Sequence, residues 1–182
     1  AALEVATAVA VKHLTGFKIT LPDLALLCQK AENDFVGMKC GIMDQFISLL
    51  GQKDHALFID CRTLEYERIP LELGDYRILV CHSGVKHSLV DSEYNRRRQE
   101  CETGVQILAN RFPAVQALRD ADLAMLTACQ AQMDPVIYQR CRHVITENER
   151  VLKSVAALKA GDLKGFGQLL NQSHDSLRDD YE

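Results

Sequence analysis

Phe35-Val36-Gly37-Met38-Lys39-Cys40-Gly41-Ile42-Met43-Asp44-Gln45-Phe46-Ile47-Ser48 interrupts a helical pattern with two glycines and then restarts it. Upstream, residues 1–14 are apolar at most positions and rich in the strong helix formers Ala, Leu and Glu, and Gly16 offers a stop. Such a helix is expected to be buried on more than one face. Thr20 and Pro22 read as the cap and first turn of a second helix over 22–34, with Leu24, Leu27, Cys28 and Ala31 at helical spacing. The break spans 35–41, and a third helix is predicted over about 41–50, ending at Gly51.

Downstream the period changes. Residues 56–60 and 65–69 read as strands, the second exposed, and Arg77-Ile78-Leu79-Val80-Cys81 reads as a buried strand. Helical patterns return over about 89–110, 120–130, 134–159 and 162–173; Asp134-Pro135 supplies a cap, and Gly161-Asp162 a break. Strands clustered at 55–81 between helical stretches make the fold class α+β.

Asp44 falls in the first turn of the predicted third helix. Free N–H groups and the positive end of the helix dipole favour a carboxylate there. Held beside a substrate hydroxyl, such a group can orient it or accept its proton. An acidic residue in a first turn also serves helix stability alone, and spacing does not separate the two readings. Glu32 lies twelve residues earlier, near the end of the second helix. A second carboxylate converging on the same cleft would suit Mg²⁺, which takes a few oxygen ligands beside phosphate and water; a solvated helix glutamate is the plainer account.

Composition narrows the partners. The net charge is -4, from 21 basic and 25 acidic side chains, so no nucleic acid or anionic membrane is expected. Seven cysteines without a CxxC pair fit free thiols in a reducing cytoplasm. The six histidines form no HxxxH pair, and no apolar run approaches the roughly 18 residues that span a bilayer. Ser173-His174-Asp175 has the composition of a triad, but adjacent residues rarely reach that geometry. Capping and local hydrogen bonding are the better expectation.

The glycine-marked segment closely resembles the active-site segment of the galactokinases, a group of GHMP small-molecule kinases. The resemblance continues through Asp54-His55-Ala56-Leu57-Phe58-Ile59-Asp60-Cys61-Arg62, Ser92-Glu93-Tyr94-Asn95-Arg96-Arg97-Arg98, Arg142-His143-Val144 and residues 173–182. It covers essentially the whole chain and looks closest to the animal enzymes. It implies transfer of the γ-phosphoryl of ATP to the anomeric hydroxyl of galactose, with Mg²⁺ as cofactor. By the same resemblance Asp44 takes the place of the catalytic base and Glu32 that of a Mg²⁺ carboxylate. Tyr94 takes the place of a sugar-contacting tyrosine, and Gly41 that of the glycine whose backbone lies against the sugar.

The implied architecture is two α+β domains with the active site between them. Residues 1–75 would be the C-terminal part of the first domain and 76–182 the first part of the second. The chain starts within a helix without Met and stops without a helix-ending signal, so it is expected to be a fragment. The family's phosphate loop would precede Ala1, and the piece alone should have little or no activity. A monomer is expected. Two alternatives stay open: an N-acetylgalactosamine kinase, and a catalytically dead relative acting as a transcriptional regulator. The Cys-Gly-Ile pattern at 40–42 and Ser-Glu-Tyr at 92–94 favour galactose over N-acetylgalactosamine.

Overall fold

Chain packing divides between Ser92 and Glu93 in the computed structural model, which describes residues 1–82, 84 and 93–181. In the first unit, α1 (Ala2–Thr15) ends at Gly16, whose φ of 69° is the left-handed conformation that glycine adopts without Cβ strain. Thr20 then caps α2 (Leu21–Ala31), its Oγ1 accepting from Asp23 N at 3.2 Å. A wide helical turn, Glu32–Val36, prolongs α2 and closes at Gly37 with φ 82°. Helix α3 (Met43–Leu50) starts two residues later than the sequence predicts and stops at Gly51.

Strands β1 (His55–Ile59) and β2 (Tyr66–Pro70) form an antiparallel hairpin in which His55 faces Pro70 and Ile59 faces Tyr66. Ala25, Ile42, Phe46 and Leu50 make the core of this unit, with Leu57 and Ile59 packed against it. Phe46 meets Tyr66 edge to face at 6.2 Å, and Arg68 Nε donates to Leu50 O at 3.0 Å, so hairpin and α3 are tied twice.

Two expectations fail here. Helix α1 is not buried on several faces: Val5 is its one buried residue, while Leu3 and Leu14 are more than four-fifths exposed. Among the described residues α2 and α3 are the main elements packed against α1, so one face is covered. Residues 77–81 are not a buried strand. No described strand pairs with them, and Ile78, Leu79 and Val80 are 68%, 84% and 94% exposed. A strand needs a neighbour for its N–H and C=O groups. Apolar patterning reports the preference but not the presence of that neighbour.

The second unit is helical. Helix α4 (Glu93–Arg111) ends before Pro113; its predicted beginning at 89 lies outside the described residues. Short α5 (Leu123–Ala128) is flanked by tight turns at Leu118–Asp120 and Gln130–Gln132. Asp134 caps the long α6 (Pro135–Lys159), accepting from Val136 N at 2.8 Å. Asp162 caps α7 (Leu163–Ser176), which runs on into the wide turn Leu177–Tyr181. The core holds Leu108, Val115, Leu118, Leu126, Cys129, Met133, Cys141 and Ile145. Gly104 lets α4 lie close on α6: a Cβ there would stand 2.1 Å from Cys141 Sγ.

Candidate functional site

Asp44, Gly41 and Glu32 all belong to the first unit, and Tyr94 to the second. Asp44 is the second residue of α3 and is exposed. Its turn is fixed from inside. Gln45, the next residue, is 2% exposed, and Phe46 is fully buried, with Phe46 N donating to Ile42 O at 3.0 Å. The approach to the turn is also pinned. Gln29 Nε2 donates to Cys40 O at 3.0 Å, and Met38 N donates to Glu32 O at 3.3 Å. At Gly41 a Cβ would meet nothing within 4 Å, so the protein leaves open space over that backbone.

Glu32 opens the wide turn after α2 and shares its surroundings with a residue that the sequence reading treated only as a helix former. Glu4, in the first turn of α1, has both carboxylate oxygens buried and without a hydrogen-bond partner among the described residues. The chain's terminal ammonium at Ala1 sits between the two carboxylates, 3.3 Å from Glu32 Oε1 and 3.8 Å from Glu4 Oε2. Burial first, and then the Glu32 charge, push the Glu4 carboxyl above the ordinary range; the ammonium and the Gln45 amide pull it part of the way back. Burial and Glu32 likewise raise the Cys40 thiol. The two glutamates line a hollow of about 590 Å³ with Leu3, Ala8, Leu27 and Ala31. One signal was available: Glu4 is the sole charge among eleven otherwise uncharged residues at the start of the chain.

Tyr94, in the first turn of α4, is 38% exposed and lines a groove of about 630 Å³ with Arg98, Cys101, Val105, Gln116 and Tyr181. Beside the groove lies a polar network that joins the 142–144 and 173–182 motifs. Arg140, 3% exposed, donates to Glu100 Oε2 at 3.1 Å and to Asp180 O at 2.8 Å. Arg142 forks onto the Asp180 carboxylate, and Ser176 Oγ donates to Asp180 Oδ2 at 3.2 Å. His143 Nδ1 lies 3.0 Å from Ser176 Oγ, and its ring packs on Tyr181 at 4.6 Å. Burial, followed by Arg150, holds the His143 pKa below its ordinary value; burial also raises the Tyr181 hydroxyl to about 12. The serine, not the histidine, is the middle member of Ser176, His143 and Asp180, so this is no nucleophile–base–acid relay. In the other set, Ser173 Oγ donates to Glu147 at 2.6 Å, and Asp175 pairs with Arg178 at 3.2 Å. The network therefore clamps the 177–181 turn onto α6. Among the described residues no group of three or more His, Cys, Asp or Glu could hold a metal, and no helix is long and apolar enough to cross a membrane.

Comparison with known proteins agrees over the whole length. Residues 1–52 match the family described as GHMP kinases N terminal domain. The chain is 48% identical over 182 residues to a galactokinase of Roseiflexus sp. (strain RS-1), covering 100% of this chain and 46% of that relative. It also resembles the crystal structure of Lactococcus lactis galactokinase complexed with galactose, with TM-score 0.93 and 36% identity over 99% of this chain and 46% of that one. The chain thus spans about half the length of the galactokinases it matches.

Proposed function

We infer, from a homology to galactokinases that runs the full length of this chain, that the protein carrying it phosphorylates galactose at the anomeric hydroxyl at the expense of ATP. The observation that carries the reading is Asp44, exposed on a turn whose interior is locked by Gln45 and Phe46, beside open space over Gly41. Phosphoryl transfer asks little covalent chemistry of a protein; alignment and charge neutralisation supply most of the rate. Asp44 orients the sugar hydroxyl toward the phosphate and takes its proton. Gly41 lets the sugar approach the backbone, and Tyr94 offers a ring face to it.

The residues near Glu32 fit a magnesium ion, being hard oxygen donors with buried carboxylate oxygens that lack a protein partner. Glu32 would hold the ion, which when bound neutralises charge on the phosphate oxygens. The boundary between the two family domains is proposed near residue 75, the protein is proposed to be a cytoplasmic monomer, and this chain by itself is proposed to have little or no turnover.

A coupled assay of ADP release by the full-length protein tests the function. Turnover with galactose and not with N-acetylgalactosamine supports it. Turnover with N-acetylgalactosamine instead, or galactose binding without turnover, overturns it.

A further inference from the structure

Glu4 enters the reading above only through its buried oxygens near Glu32, yet its surroundings are hard to explain as structure alone. A carboxylate with both oxygens buried and without a close hydrogen bond costs stability, and a second carboxylate beside it adds repulsion. The positive group between Glu4 and Glu32 is the Ala1 ammonium; among the described residues no lysine or arginine pairs with either. Wherever a residue precedes Ala1, that nitrogen is a neutral amide and the two glutamates face each other without it. The third party is Gln45. Its side chain is almost wholly buried, its Oε1 has no hydrogen-bond partner, and its amide lies beside both Glu4 and Cys40. Three elements therefore converge at one point: the first turn of α1, the turn that begins with Glu32, and the first turn of α3. The last of these carries Asp44.

We propose that Glu4 is a positioning residue that couples the Glu32 carboxylate to the turn bearing Asp44. It adds a negative charge to the field of a divalent cation at Glu32. Through Gln45 it also fixes the angle at which α3 presents Asp44. Groups that stand behind a metal ligand typically change metal affinity about 10- to 100-fold when removed. The proposal rests on the kinase reading for the roles of Glu32 and Asp44, but its test does not depend on turnover.

The experiment is Mn²⁺ binding, followed by electron paramagnetic resonance, in the full-length protein and its Glu4→Gln, Glu4→Asp and Glu32→Gln variants, with the thermal midpoint and galactose KM measured beside it. Glu4→Gln keeps the shape and removes the charge. It is expected to weaken Mn²⁺ about tenfold, to lower kcat, and to leave galactose KM and the midpoint unchanged or the midpoint higher. Glu4→Asp, which keeps the charge, is expected to recover most of the Mn²⁺ affinity. Mn²⁺ affinity unaltered by Glu4→Gln overturns the proposal. So does a parallel loss of Mn²⁺ affinity, galactose affinity and midpoint, which would make Glu4 merely structural. If the unsubstituted protein binds Mn²⁺ but turns over no galactose, the kinase reading fails and the Mn²⁺ series still decides the role of Glu4.

Discussion

The two units of this chain divide the work unevenly. The first carries the carboxylates proposed for the chemistry, and it leaves large apolar side chains uncovered: Leu3, Leu14, Phe35, Leu79 and Val80 are each more than four-fifths exposed. The second carries one proposed sugar contact, yet it has the larger core and a buried ion network in which Arg140, Asp180, Ser176 and His143 all find partners. The helical unit pairs its buried ionic groups within itself, whereas the unit bearing Asp44 leaves apolar side chains exposed and one buried carboxylate, Glu4, without a hydrogen bond among the described residues.

That contrast is sharpest at the buried arginine. Arg140→Ala leaves the Asp180 carbonyl without its buried donor and takes from half-buried Glu100 one of its arginine partners, Arg96 remaining, and should destabilise the second unit by about 3 kcal/mol in urea unfolding. A cost near that of a surface ion pair would mean that the network is decoration. Next comes packing. Leu126 is fully buried and Leu3 is 83% exposed. Leu126→Ala should cost about 2–5 kcal/mol, and Leu3→Ala should fall within about 0.5 kcal/mol. Equal costs would contradict the contrast between a packed leucine in the second unit and an uncovered one in the first.

A smaller effect comes from pH. His143 is held neutral by burial and by Arg150, so its folded pKa lies below the unfolded value. Its contribution is complete above the ordinary histidine range and is lost as pH falls below about 6.5 toward the folded pKa. Unfolding of the second unit followed between pH 7.5 and 5 should show this slope, and His143→Asn should flatten it. A slope unchanged in the variant would assign the effect to other groups.

Local signals in the sequence were readable because they act locally. Gly16 and Gly51 stop helices, Thr20 and Asp134 cap them, and the alternation at 55–70 gives the hairpin. Asp44 was legible as a first-turn carboxylate, although the helix begins at Met43. What could not be read depends on partners distant in the chain. Residues 77–81 have strand character but no described strand beside them. Glu4 meets the surroundings of Gln45, 41 positions away, and Arg140 meets Asp180 across 40. No periodicity carries such pairings. The one hint at Glu4 was a charge placed in an apolar run.

The central claim is that the exposed Asp44 is the base of a sugar kinase, and the measurement that tests it most directly is kcat for galactose in the full-length protein carrying Asp44→Asn. The variant keeps the size of the side chain and, because Asp44 is exposed, should keep the thermal midpoint. Loss of a general base predicts a fall in kcat of about 10²- to 10⁴-fold. Turnover within about threefold of the unsubstituted protein would contradict the assignment.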